Sequence, residues 1–328
     1  MDLSFLTSTW WGPVLTVLFC GHMTILCMSL YMHRSQAHSG VEFHPAIAWA
    51  MRWWLWLFTG MSTREWVAVH RKHHAHCETE EDPHSPLVQG IWKVMFLGVF
   101  MYKKAYSDPT TMEKYAKGCP DDVIERKLFM PHKFAGLVTI MLIDFLVFGW
   151  MTGALVWLGQ VLWTPFWAAG VVNGLGHFIG YRNYKVRDES RNLSPIGILL
   201  IGEELHNNHH KFPASSKFSQ RWFEFDIGWF YINAMKALGL AKIKVVHSGL
   251  PNFKQATAAA KMAAMEKVEH AKEAVGNAKI AVQTASREKV EHAKESIEHA
   301  KESAHDAIQN AKEKASQAAN AGVLSPEH

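Results

Sequence analysis

From Trp10 to Leu30 the sequence carries no Asp, Glu, Lys or Arg, and Trp10 and Trp11 stand at its start. An uncharged run of that length matches a bilayer-spanning helix with an aromatic anchor at one interface. Phe134–Tyr181 is a second apolar tract, with Asp144 its only charged residue. It is long enough for two spans, and Gly149, Gly153 and Gly159 offer turning points, so the pattern predicts a tight helical hairpin. Ala46–Met61 is shorter than a span and carries Arg52 beside Trp49, Trp53, Trp54 and Trp56. Charge is costly in hydrocarbon, whereas Trp and Arg suit the headgroup boundary. The segment is therefore expected to lie in or dip into the interface, with a fourth span as the alternative. Ile91–Tyr102 reads the same way.

Charge gives these segments a direction. Residues 33–133 and 182–254 are rich in Lys and Arg, while the hairpin turn near 149–160 has neither. The positive-inside rule then puts both basic segments in the cytoplasm, with three spans and an inside C-terminus. A net charge of +4 is too small to argue for nucleic acid, and the acidic, polar start lacks the basic region of a cleavable signal peptide. Cys20, Cys27, Cys77 and Cys119 show no metal or iron–sulfur spacing and read as reduced structural residues.

The chain has 20 histidines, and four groups of them stand out. His33 and His38 follow the first apolar run. His70, His73 and His74 form one HxxHH triplet, and His206, His209 and His210 form another. Asn173 and His177 close the second apolar tract. Positions i, i+3 and i+4 share a helix face, so each triplet points three imidazoles one way, which suits a borderline metal such as iron or zinc. Chance predicts about 0.07 such triplets in a chain of this composition, and there are two. The proposed topology places all four groups on one side of the membrane, where they can meet. Nine imidazoles exceed one ion's needs and imply two metals, at least one with an open or water-bound position. Asn173 is placed to join them directly or through water. Glu65, Glu203, Glu204 and Asp226 are candidates to orient ligand imidazoles, though Glu204 reads more readily as solvated surface charge. His76 is expected to be exposed.

The strings HRSQAH, EWVAVHRKHHAHCETEEDPHSP, NGLGHFIGYR and GEELHNNHHKFP resemble the membrane acyl desaturases of the bacterial delta-9 and animal stearoyl-CoA type, over about Trp10–Leu240. The resemblance implies two iron ions held by His33, His38, His70, His73, His74, His177, His206, His209 and His210, with Asn173 holding a water. It also implies O2-dependent insertion of a cis double bond, chiefly at the ninth carbon, into an acyl-CoA or acyl-lipid. Electrons would come from a separate ferredoxin, rubredoxin or cytochrome b5-like donor and its reductase. The expected fold is an all-α integral membrane protein with three to four spans, a cytoplasmic helical cap around the di-iron site, and a helical or disordered tail. The expected location is a bacterial inner membrane, active site on the cytoplasmic face. Trp66, Trp150, Trp157, Trp163, Trp167, Phe178, Trp222 and Trp229 are candidate tunnel residues. Arg64, Arg71, Arg182 and Arg187, with Lys72, Lys103, Lys104 and Lys185, are candidates for an anionic headgroup, although an ordinary basic inner face explains most of them.

Two rivals stand beside this reading. A membrane di-iron hydroxylase or alkane monooxygenase starts from the same oxidant. A metal transporter or store would place its ligands mid-bilayer rather than at span ends. The domain expectation is a membrane unit over 1–240, a linker over 241–255 and a tail over 256–328. The tail is rich in Ala, Lys, Glu and His and repeats with an 11-residue period (KVEHAKEAVGN, AKIAVQTASRE, KVEHAKESIEH, AKESAHDAIQN). Eleven residues make three turns of a nearly straight helix. Val268, Ala271, Val275 and Val282 give it a weak apolar stripe, and its histidines read as solvated.

Overall fold

The computed structural model describes residue 7 and residues 9–247 and 253–321. The chain divides into two units, Met1–Leu250 and Pro251–His328. In the first, α1 (Trp11–Cys27) runs directly into a π-helical segment, Met28–Ala37. After the short strand β1 (Val41–Phe43) come α2 (Pro45–Thr59), α3 (Thr63–His76), α4 (Pro86–Gln89), α5 (Ile91–Tyr106) and α6 (Pro109–Tyr115). Then α7 (Ala135–Thr164) continues into a second long π-helical stretch, Pro165–Leu175. The remainder is β2 (Ile196–Gly197), α8 (His206–Lys211), β3 (Phe225–Asp226), α9 (Ile227–Ala237) and β4 (Ala241–Ile243). Strands β1 and β4 pair antiparallel, β2 and β3 parallel, so the unit is helical with two small ribbons. The second unit is one helix, α10 (Phe253–Ala321).

Among the described residues, two helical runs are long and apolar enough to cross a membrane, Trp11–Ala37 and Ala135–Leu175. The second is not straight. Gly149 adopts φ 75°, ψ 167°, a conformation open essentially to glycine, and there the chain reverses. Trp157 Nε1 donates to the Leu137 carbonyl at 2.9 Å; in a straight helix those residues would be about 30 Å apart. A side chain on Gly153 would begin 2.5 Å from the Asp144 carbonyl oxygen, so the arms cross in close contact. Leu146, Trp150, Met151 and Leu155 point outward from this hairpin.

At fifteen residues α2 is short of a span, and its arginine is paired inside the protein rather than left to the headgroup boundary. Arg52 is buried, donating to Asp122 at 2.6 Å and Glu125 at 2.8 Å, and lies over the Trp49 ring. Two carboxylates from the distant 122–125 segment satisfy the charge that the linear sequence leaves unpaired.

Arg34 ties the first histidine segment to the last. Fully buried, it donates to both oxygens of Asp226 (2.9 and 3.0 Å) and to the Ser216 and Ile201 carbonyls, and lies 3.8 Å over the Phe218 ring. Asp226 in turn caps α9 through the Trp229 N–H and accepts from the Phe218 N–H. Removing one partner of a buried ion pair strands the other charge. Asp226→Asn should therefore cost about 3–5 kcal/mol in denaturant unfolding of the detergent-solubilised protein. A loss within experimental error would refute this role.

Candidate metal centre

Local winding brings the first two imidazoles together. In an α-helix, positions five apart face different sides, but Met28–Ala37 is wound as a π-helix with i→i+5 bonding. The His38 N–H bonds the His33 carbonyl at 3.1 Å, and the two rings lie 5.0 Å apart, centre to centre. The second group rides on α3, whose start is fixed by a capping box in which Ser62 and Glu65 each accept the other's backbone N–H. The third group straddles the end of the π-helical stretch Pro165–Leu175, with Asn173 inside it and His177 just beyond, and α8 carries the last.

The nine imidazoles sort into two sets. His33, His38, His70, His74 and His209 bring their ligand atoms within 4.8 Å of one another, and so do His73, His177, His206 and His210. Within the sets, Nε2···Nε2 separations are 3.0 Å for His33–His209, 2.9 Å for His38–His70, 2.9 Å for His74–His209 and 3.0 Å for His177–His206. Two neighbouring ligands on an octahedron with metal–nitrogen bonds of about 2.1 Å stand roughly 3 Å apart. The spacing thus fits ring nitrogens aimed at a shared ion. His210 Nε2, buried and without a hydrogen-bond partner, fits the same purpose.

Carboxylates hold the outer nitrogens. Glu203 takes His33 Nδ1 at 2.8 Å, Asp82 takes His73 Nδ1 at 3.0 Å, Glu78 takes His177 Nδ1 at 3.2 Å and Asp188 takes His210 Nδ1 at 3.1 Å. Each fixes a proton on Nδ1 and leaves the Nε2 lone pair pointing inward. Burial, reinforced by the neighbouring imidazoles, holds His70, His74, His206, His209 and His210 well below the usual histidine range. For His38 burial acts with His33 and Arg71. These rings are neutral, as ligands must be.

Of the four carboxylates singled out from sequence, Glu203 alone reaches a clustered imidazole. Glu65 pairs with Lys133 at 2.9 Å, and Asp226 serves Arg34. Glu204 is no surface charge: it is buried, accepts the Leu200 and Gly202 N–H groups, and burial lifts its carboxyl to about 7. Asp82, Glu78 and Asp188 escape sequence reasoning because each reads as a solvated loop acid; the signal available was that two of them fall within the dozen residues after His70. His76 is half-buried, not exposed, with Nε2 2.7 Å from the Tyr115 hydroxyl. All four cysteines are free. Cys77 Sγ lies 3.8 Å from His73 Nε2, but burial and the acids Asp188, Asp82 and Glu78 push its thiol up, so it stays protonated.

The arginines expected at a headgroup are committed elsewhere. Arg71 donates to the Gln36, Ala37, Tyr115 and Lys117 carbonyls, Arg182 to Glu189 and the Asp188 carbonyl, and Arg64 to Asp121. Lys103 and Lys104 remain exposed.

A cavity of about 370 Å³ adjoins both sets. His33, His70, His206, Glu203 and Asn173 line it, together with apolar residues that include Ile25, Met28, Phe100, Leu137, Val161 and Val172. Of the aromatic residues proposed for a tunnel, Trp66 alone lines it; Trp150 and Trp222 are 74% and 96% exposed. Tyr102, also on the wall, accepts a hydrogen bond from Asn173 Nδ2 at 3.3 Å.

Comparison with known proteins meets this geometry from another side. Residues 8–234 match the family model described as "Fatty acid desaturase". The chain is 36% identical over 193 residues to the sn-2 palmitoyl-lipid 9-desaturase of Nostoc sp. (strain 36), covering 56% of this chain and 63% of that protein. It is 31% identical over 183 residues to the sn-1 stearoyl-lipid 9-desaturase of Anabaena variabilis, covering 54% and 63%. It is also 31% identical over 219 residues to an Arabidopsis thaliana protein named "Probable lipid desaturase", chloroplastic, covering 66% and 59%. The matched region is thus about three fifths of each relative's length.

Because the buried rings titrate lower when folded than when unfolded, the unfolded chain binds more protons as pH falls. Stability of metal-free protein is then fully present above pH ~6.5, the unfolded histidine value, and is lost progressively below it. Thermal melts of chelator-treated protein should show a falling midpoint from pH 6.5 to 5.5 and little change from 7.5 to 8.5. A midpoint that rises on acidification would contradict the neutral assignment.

Proposed function

The chain belongs to the fatty acid desaturase family, and on that premise we propose that it removes two hydrogens from a saturated acyl chain of a membrane lipid in an O2-dependent reaction. The observation that carries this is the apolar cavity whose wall includes His33, His70 and His206. An unreactive CH2 placed there would lie beside the metal set and away from water. Two irons, one in each set, would supply the oxidising power that no side chain offers. The protein's own residues bind and orient. The apolar wall takes the acyl chain and excludes water, while Glu203, Asp82, Glu78 and Asp188 hold four imidazoles in the ligating tautomer. Tyr102 engages the Asn173 nitrogen, which leaves the amide oxygen available to the centre directly or through water.

In this reading α1 and the two arms of α7 span the bilayer, and the outward Leu146, Trp150 and Leu155 meet lipid. The basic segments and the metal centre then face the cytoplasm of a bacterial inner membrane. Commitment of Arg64, Arg71 and Arg182 to protein partners favours a lipid-borne substrate over a CoA thioester, whose several phosphates call for free cations. The names of the relatives, sn-2 palmitoyl-lipid 9-desaturase and sn-1 stearoyl-lipid 9-desaturase, support the ninth carbon as the position of the proposed cis double bond. Electrons come from a separate ferredoxin, rubredoxin or cytochrome b5-like donor.

Expression in a host unable to make unsaturated fats, with mass-spectrometric location of any new double bond, tests the reaction. A 9-alkene in phospholipid is expected, and an alcohol product would move the assignment to a hydroxylase. His73→Ala or His209→Ala should lower turnover more than ~100-fold, and Asp82→Asn should weaken metal affinity by about 10–100-fold, read by metal analysis against a chelator series. Unchanged activity in His209→Ala would refute the proposed ligand set.

A further inference from the structure

The reaction makes no use of α10, yet its residues are sorted around the helix. Positions eleven apart return to nearly the same angle, so they stack in straight lines. Ala271, Ala293 and Ala304 form one line, and Val275, Ile297 and Ile308 the line beside it. Lysines flank this stripe on both sides, Lys267 and Lys289 on one edge and Lys279, Lys301 and Lys312 on the other. The acids fall on the far face: Glu269, Glu291, Glu302 and Glu313 share one line, and Glu273, Glu295 and Asp306 the next. All these side chains are exposed.

We infer that α10 is a lipid-binding helix that lies on the membrane surface and recognises anionic headgroups. Its apolar stripe meets the acyl boundary, its flanking lysines reach back to phosphate, and its acids face water. Basic and acidic residues are nearly equal in number along the tail, so the attraction comes from where the charges sit rather than from their sum. The same pattern argues against pairing with a second copy. A two-helix seam needs large residues at its core, and this stripe offers one Val or Ile per repeat, the other position being alanine or serine. Lysines on both edges would also face lysines across such a seam. An alanine-rich stripe binds lipid weakly by itself. Here the helix is covalently joined to a unit that, in the reading above, already sits in the bilayer, which raises its effective concentration at the surface. The inference rests on that reading.

The test uses the full chain reconstituted into vesicles of phosphatidylcholine alone or mixed with phosphatidylglycerol. Nitroxides are placed one at a time at Ala271, Ala293 and Ala304, and at Glu273, Glu295 and Asp306, with Leu146 as a reference. In mixed vesicles the stripe labels should gain several-fold in O2 accessibility relative to an aqueous nickel complex, while the acidic-face labels stay aqueous. Val275→Glu combined with Ile297→Glu should erase the difference without changing metal content. Equal accessibility at all six tail positions, the same contrast in phosphatidylcholine alone, or spin–spin broadening between copies would each overturn the inference. An aqueous label at Leu146 would instead show that the membrane reading of the first unit has failed.

Discussion

Nine imidazoles packed into a protein interior are the constraint around which this fold is arranged. Each ring is polar at both nitrogens, and burying such a group without partners costs free energy. Four of the nine resolve the problem in the same way, with a carboxylate on Nδ1 and a free Nε2 turned toward its neighbours. Those inward lone pairs repel one another unless a cation sits among them. The protein therefore has to hold them in place by other means, and the surrounding structure shows how.

Arg34 joins the first histidine segment to the Ile201, Ser216 and Asp226 region in a single buried contact set. Arg71 performs the parallel task for α3, gathering carbonyls from residues 36, 37, 115 and 117. Both guanidiniums lie next in sequence to a proposed ligand, His33 and His70. The first two histidine groups thus each carry an adjacent anchor, and the anchors cross-link segments distant in sequence. The long helical runs supply the frame: α1 delivers the first box, and the hairpin at Gly149 returns the chain so that Asn173 and His177 arrive beside the others. The cavity lies where this frame and the histidine groups meet, so its lining combines apolar side chains with imidazoles.

Much of this was legible in the sequence, for reasons that can be named. The HxxHH triplets follow helix periodicity, which is local and independent of partners. The hairpin could be read because an apolar tract twice the length of one span has to turn, and glycines marked where. Less local features were hidden. The π-helical winding that brings His38 back toward His33 leaves no mark in residue type. Asp82, Glu78 and Asp188 look like any loop acids until the fold places them against His73, His177 and His210. Arg52, Arg71 and Arg182 resemble a basic surface, and their partners, largely backbone carbonyls and distant acids, have no sequence signature.

The central claim is that the five-histidine and four-histidine sets each hold one iron. Anomalous diffraction from crystals of the iron-loaded protein, collected on either side of the iron absorption edge, tests it most directly. The account predicts two iron peaks per chain, one within the set that includes His38 and one within the set that includes His177. A single peak, or scattering that persists below the iron edge as zinc would give, would contradict it.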